Sequence, residues 1–283
     1  MNHKLFVKSS TSMDDLEDES IHLIIFSPPY GNVVRDYGNL DDDISSGTFK
    51  KWYDGMAQVV SECLRVLQPG RVMAINIANV LEGEVGHQTN YVMWMSWIVE
   101  QEVGGFYLFR DVIWRKPMGA YNTNISGHWV KTEERPMSLH PAPLTEHILI
   151  YKKEGKYIPP ENQEWDRNYY KSKILTPLDE VMYGVKNFQD EIRKDYWYFN
   201  TTPHRLKEHP AVFPIELPSR IIRLYSFEWE TVLDPFAGSG TTLEASARLR
   251  RVGYGYEIYP QYVKVIKEKM SKFVGLLDSF EVI

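Results

Sequence analysis

Two spacings of apolar residues alternate along the 283-residue chain. Short runs rich in β-branched residues predict strands at Ile21–Phe26, Arg71–Ile77, Phe106–Trp114, His147–Tyr151, Thr231–Asp234 and Val252–Tyr256. Between them the spacing becomes helical. Trp52, Met56, Val59, Val60, Cys63, Leu64 and Leu67 fall on one face of a helix predicted over Lys51–Leu67, which Pro69-Gly70 stops. Pro214–Tyr225, Gly240–Leu249 and Tyr259–Phe273 read as further helices. Asn90–Glu100 is apolar nearly all round, which predicts a buried helix with Trp94 and Trp97 in the core. From Lys152 to about Phe199 charged and aromatic residues follow without clear periodicity. Strands alternating with helices imply an α/β fold with a mostly parallel sheet.

The C-terminal part poses a topological question. It supplies strand, helix, strand, helix and then only Leu276–Ile283, whereas a nucleotide-binding half normally needs a third strand. The nearest free candidate is Lys4–Lys8 at the other end of the chain. The halves of the fold therefore stand in swapped order.

Composition narrows the class. The apolar share of 43% and charged share of 25% are ordinary for a globular protein. The longest uncharged stretches, such as Pro117–Val130, are too short and too polar to span a bilayer. The first twenty residues hold Asp14, Asp15, Glu17, Asp18 and Glu19 and no apolar core, so a cytoplasmic location is expected. Cys63, the only cysteine, excludes an intramolecular disulfide and a cysteine-based zinc site, and the eight histidines show no metal spacing. Cys63 follows Glu62 rather than proline on an apolar helix face. It reads as core, which excludes a cysteine nucleophile attacking a pyrimidine ring. The net charge of −6 hides a split: residues 1–114 hold 8 basic against 16 acidic side chains, and the remainder is nearly balanced. Such a balance disfavours purely electrostatic DNA binding but leaves room for a local basic patch.

Two short constellations carry chemistry. The first is Asp234-Pro235-Phe236-Ala237-Gly238-Ser239-Gly240-Thr241, directly after a strand and opening a helix. Its glycines permit close backbone approach to a ligand, and the helix N-terminus favours an anionic group. Asp234 is placed to hold a ligand amine. Glu257, at the end of the next strand, is placed as the acid that binds paired ribose hydroxyls in this architecture. The second is Ser27-Pro28-Pro29-Tyr30, where two prolines stiffen the backbone after a strand and present a carbonyl, a hydroxyl and an aromatic ring. Alone, it reads better as a loop ending a strand, with Tyr30 as a packed aromatic.

Together the two motifs resemble those of the β-class DNA amino-methyltransferases, in which Ser/Asp-Pro-Pro-Tyr/Phe precedes Asp-Pro-Phe-x-Gly-Ser-Gly. The resemblance runs over nearly the whole chain. It takes in the loop through Arg35 to Gly38, Leu64–Gly70, Ile113–Lys116, Glu146–Lys152 and His209–Arg220, and the swapped order of halves is also the family's. It implies a Rossmann-like S-adenosylmethionine-dependent methyltransferase fold in circularly permuted order. One domain would then comprise a catalytic half (1–151), a target-recognition insertion (152–200) and a cofactor-binding half (201–283).

By the same resemblance, Ser27, Pro28, Pro29 and Tyr30 would be catalytic. Asp234, Phe236, Gly238 and Gly240, with Pro235, Ser239 and Thr241 of the same loop, would hold the methionine end of S-adenosylmethionine. Glu257 would hold its ribose and Ile258 its adenine, and Phe213 and Pro214 would close the pocket. One departure stands out. Where the family usually has Gly-Asp after its first strand, this chain has Ser9-Ser10, so the adenine contact falls to Ser10, to a neighbour such as Asp14, or is missing.

Arg35, Lys116, Lys152, Lys153, Arg167, Lys171 and Lys173 are the candidate DNA contacts, several of them interleaved with Trp165, Tyr169 and Tyr170 as phosphate contact and base stacking require. Gly119–Leu139 is a second polar loop positioned to close over DNA. The implied partners are duplex DNA, a second copy of the chain and a cognate restriction endonuclease; no membrane is implied. The reaction expected is methylation of cytosine N4 on a flipped-out base. A Ser at position 27 more often accompanies cytosine in the family, and a neutral hydroxyl can also bond the cytosine ring nitrogen N3. Adenine N6 is the runner-up. An RNA or protein methyltransferase and a non-catalytic DNA-binding module come behind it, disfavoured by motif order and by the intact motifs respectively.

Overall fold

A computed structural model describes residues 1–30, 43–46, 48–82, 87–117, 144–158, 192–200, 213–273 and 279–283. Along the chain run β1 (Asn2–Phe6), β2 (Ile21–Phe26), α1 (Phe49–Val66), β3 (Leu67–Ile77), β4 (Val80–Glu82), β5 (His87–Thr89) and α2 (Tyr91–Trp97), which passes into a π-turn at Ile98–Val103. Next come β6 (Phe106–Arg115), β7 (Thr145–Lys153), β8 (Tyr196–Tyr198), α3 (Glu216–Tyr225), β9 (Thr231–Asp234), α4 (Thr241–Arg248), β10 (Val252–Tyr256), α5 (Pro260–Met270) and β11 (Ser279–Val282).

Nine of these strands make one sheet in the order β11-β1-β10-β9-β2-β3-β7-β6-β8. Only β7 runs against the others. The N-terminal strand lies where the swapped-halves argument needs it, hydrogen-bonded parallel to β10, although it spans Asn2–Phe6 rather than Lys4–Lys8. β11 adds a further parallel strand outside β1, which the sequence pattern did not predict. Two covering layers follow from the alternation of side chains along the central strands. Ile24, Phe26, Met73 and Ile75 pack under α1 and α2, while Leu23, Ile25, Val72 and Ala74 pack under α3. Cys63 sits at 0% exposure in the first layer, as the core reading required.

One element departs from its predicted setting. The α2 helix buries only Tyr91 and Met95, continued by Ile98 and Val99 in the π-turn, and leaves Met93 and Trp97 about half exposed, at 49% and 53%. Among the described residues, Phe49, Trp52 and Tyr53 of α1 meet Tyr91 and Trp94 on one side of it, so an all-round apolar sequence is not matched by an all-round apolar environment there. The Pro69-Gly70 pair also proves to lie within β3 rather than beyond it. The α1 helix already stops at Val66, and Gly70 takes φ +72° where a Cβ would strike the Tyr157 backbone at 2.5 Å.

Candidate active site

Both sequence motifs meet at the carboxyl ends of the strands, where open parallel sheets place their ligands. A cleft there is lined by Ser9 and Ser10 after β1, Ser27–Tyr30 after β2, Pro235–Ser239 and Thr241 after β9, and Tyr256–Tyr259 after β10, with Phe213 on its rim. The two loops lie close because β2 and β9 are adjacent strands, and Phe26 and Phe236 touch with ring centres 5.7 Å apart.

The Pro-Pro loop is held by side chains from elsewhere. The Trp52 indole N–H donates to the Pro29 carbonyl at 2.7 Å. That contact leaves the Pro28 carbonyl and Ser27 hydroxyl, which have no hydrogen-bond partner among the described residues. The Tyr30 hydroxyl accepts from the Ala78 N–H at the end of β3 (2.7 Å), and its ring meets Tyr91 edge-on at 5.2 Å. The ring's orientation is thus fixed before any ligand arrives.

The glycine loop is fastened by its acids. Glu257 accepts from the Gly238 N–H (2.8 Å) through one oxygen and from the Tyr259 N–H (2.9 Å) through the other, joining the β9–α4 turn to the end of β10. Burial pushes its carboxyl up to about 7, against the pull of those N–H groups. Asp234 lies behind the cleft wall at 1% exposure rather than on it. One oxygen accepts from the Phe236 N–H at 2.9 Å, and the other finds no partner of good hydrogen-bond geometry among the described residues. Burial raises the carboxyl to about 7 against the pull of the neighbouring Thr242 hydroxyl and the Phe236 N–H. Gly238 and Gly240 adopt φ +52° and +76°, so both glycines serve the turn itself. Gly240 and Pro214 stay off the cleft surface, whereas Ile258 and Ser10 are on it. Asp14 is not: its carboxylate takes the Ser12 hydroxyl at 2.6 Å. Of the residues considered for the adenine contact, the cleft therefore presents Ser10.

The basic candidates separate. Because β7 runs in reverse, Lys152 pairs with Val72 and Lys153 with Phe106 at the far end of the sheet from Ser27. Lys153 donates to the Leu67 carbonyl at 2.6 Å, and Lys152 lies over the Phe109 ring at 5.8 Å. These two are corrections to the expected DNA face, since sequence proximity to the aperiodic segment says nothing of strand direction. Lys116 lies at the cleft end and pairs with Glu146, which also accepts from Asn76 at 2.6 Å. Arg35, Arg167, Lys171, Lys173 and the Gly119–Leu139 loop lie outside the described residues.

The sequence reading missed Asp43. It sits in an acidic run that looks solvated, yet it is buried on the cleft wall. It accepts from the Tyr259 hydroxyl at 2.6 Å and from both the hydroxyl and the N–H of Ser45. No local signal marks it; only Tyr259, 216 residues away, does.

A mostly parallel sheet with a glycine turn and a Pro-Pro-Tyr loop on adjacent central strands defines a Rossmann-like methyltransferase. A family model described as DNA methylase matches residues 21–268, and the chain belongs to that family of S-adenosylmethionine-dependent amino-methyltransferases. Among relatives, the Type II methyltransferase M.MjaI of Methanocaldococcus jannaschii is 28% identical over 95% of this chain and 91% of its own length. M.HpaI of Haemophilus parainfluenzae is 27% identical over 95% and 74%. Among solved structures, TTHA0409 of Thermus thermophilus, a candidate DNA modification methylase seen with S-adenosyl-L-methionine, superposes with TM-score 0.69 at 26% identity over 99% of both chains. The cytosine-N4-specific PvuII DNA methyltransferase shares the fold, with TM-score 0.66 at 18% identity over 98% of this chain and 89% of that one.

Proposed function

We propose that this DNA methyltransferase modifies the N4 amine of cytosine in duplex DNA, with the base turned out of the helix into the cleft. The observation that carries the reading is the identity and state of position 27. A neutral Ser27 hydroxyl with no partner among the described residues stands beside a Pro28 carbonyl in the same condition, while Trp52 holds the next carbonyl away.

The cleft residues suit the cofactor. Glu257 offers carboxylate lone pairs beyond the two N–H groups it already binds, Ile258 and Phe236 give apolar walls, and the Gly238–Ser239 backbone lies at the helix N-terminus. Bound there, S-adenosylmethionine supplies a methyl group already activated on a sulfonium. The chain's own work is to orient the amine. Its lone pair is delocalised into the ring, and two acceptors drawing on its hydrogens favour the pyramidal geometry needed for attack. Ser27 and Pro28 are those acceptors. The Ser27 proton can meet ring N3, an acceptor in cytosine, which an ionised carboxylate could not do. Tyr30, already braced by Ala78 and Tyr91, stacks on the base.

Arg35, Arg167, Lys171 and Lys173 are assigned to DNA phosphates, and the segment between β7 and β8 to target recognition. Similarity to Type II methyltransferases over 95% of this chain supports a restriction-modification setting with a cognate endonuclease, in the cytoplasm, and a homodimer is part of the same reading. Incubation with S-adenosylmethionine and mixed-sequence DNA, digestion to nucleosides and mass spectrometry should give N4-methylcytosine. N6-methyladenine as the sole product overturns the cytosine assignment and keeps the class.

A further inference from the structure

Among the described residues, the sheet edge beyond β7 has one open face at the cleft end. In β8, Trp197 turns inward at 0% exposure, so its neighbours Tyr196 and Tyr198 turn outward, at 42% and 55%. The register pairs Ile113 with Tyr196 and Arg115 with Tyr198, so the side chains of Arg115 and Tyr198 share that outward face. The Arg115 guanidinium lies 5.9 Å from the Tyr198 ring and 3.4 Å from the Tyr196 hydroxyl, held between the two tyrosines. The mounting is rigid, because Trp114 donates from the inner side to the Phe199 carbonyl at 3.2 Å and stacks on its ring at 4.9 Å. Of the acids nearest in the sheet, Asp111 shares the outward face two pairs along from Arg115 and is bonded to His147, while Glu146 pairs with Lys116 on the inner side.

Its position fits one partner. Both β6 and β8 end at the same edge as β2, with β7 and β3 between β6 and β2. At about 4.8 Å per strand, Arg115 stands roughly 14 Å from the Ser27 strand, within the width of a duplex whose turned-out base enters the cleft. An exposed guanidinium flanked by two aromatic rings matches a phosphate and the sugars beside it.

We infer that Arg115, Tyr196 and Tyr198 form a sequence-independent contact to the DNA backbone flanking the target base. This rests on the DNA-methyltransferase reading above. Arg115 neutralises one phosphate, and the tyrosines pack on the adjoining sugars and keep the guanidinium extended.

The test is binding of mixed-sequence duplex DNA by fluorescence anisotropy over a salt series, alongside methylation kinetics and light scattering, for the full chain and for Arg115→Gln, Arg115→Lys and Tyr198→Ala. Arg115→Gln should weaken DNA binding about tenfold at low salt and lower the slope of log K against log salt by about one. Arg115→Lys should keep the slope and lose part of the affinity, because the charge stays while the planar stack goes. Tyr198→Ala should raise the KM for DNA. In all three, kcat and the Kd for S-adenosylmethionine should hold. Unchanged affinity and salt slope in Arg115→Gln overturns the inference, as does a change of oligomeric state, which would assign the strip to a second copy of the chain. Should the unsubstituted protein neither bind nor methylate DNA, the functional reading itself falls.

Discussion

Both oxygens of Glu257 already accept backbone N–H groups, from Gly238 and Tyr259, yet burial dominates and its carboxyl titrates near 7 rather than at its ordinary 4.5. A raised value means that folding favours the protonated acid. Its contribution to stability is complete below about 4.5 and is lost as pH rises through about 7. Ribose hydroxyls ask for the opposite form, since an ionised carboxylate accepts from both. Cofactor affinity should therefore tighten as pH rises from about 6 to about 8, and Glu257→Gln should bind more weakly with a much flatter profile. Calorimetric titration at three pH values checks this. An unchanged slope in the variant would move the titration to Asp234, whose carboxyl also sits near 7.

Among the elements, the β9–α4 turn places its backbone demand beside the cleft. Gly240 lies at φ +76°, and a Cβ there would come within 2.9 Å of the Ile266 side chain in α5. Gly104, which ends the π-turn at φ +71°, has open space where its Cβ would stand. The two differ in kind, since Gly104 combines its φ with ψ −169°, a region essentially confined to glycine, and Gly240 is left-handed with ψ 25°. Gly104→Ala should cost about 1–3 kcal/mol from backbone strain alone and leave cofactor binding unchanged. Gly240→Ala should cost about 1–2 kcal/mol for the left-handed conformation, with the displacement of Ile266 in addition, and should weaken cofactor binding by displacing Ser239 and Thr241. Denaturant midpoints and calorimetric titration of the two variants check this, and unchanged cofactor affinity in Gly240→Ala would show that α5 yields freely.

At the scale of the whole molecule, the two halves are joined at the sheet's other end by a buried ion pair. Arg71, at the start of the central run of β3, meets Glu230, the residue before β9, with both side chains 6% exposed. Glu230 also accepts the Phe227 N–H at 2.7 Å, and Arg71 stacks on Tyr157 at 4.7 Å. Arg71→Met strands a buried carboxylate and should lower stability by about 3–5 kcal/mol, while Arg71→Met with Glu230→Met should recover most of it. Chemical denaturation of the two variants tests the claim. A double variant as unstable as the single one would mean that the pair itself, not the uncompensated charge, supplies the stability.

The amino-acid order alone settled what depends on near neighbours. Thr231–Asp234 and Val252–Tyr256 are strands with the bounds their β-branched and apolar runs predict, because a handful of adjacent residues decides a strand's pattern. The Pro-Pro and glycine motifs likewise declare themselves, since proline and glycine restrict or free the backbone wherever they stand. Even the place of β1 could be inferred, from counting the strands that a nucleotide-binding half requires. The fold alone decided what depends on direction and on distant partners. Lys152 and Lys153 lie away from the cleft because β7 runs in reverse, and Met93 and Trp97 stay exposed because, among the described residues, α1 meets α2 on the Tyr91 and Trp94 side. Asp43 joined the site through a tyrosine 216 residues further on, and Tyr196 met Arg115 across 81 residues of chain. Contacts of that sequence separation leave no period in a local window; they exist only once the sheet has set its order.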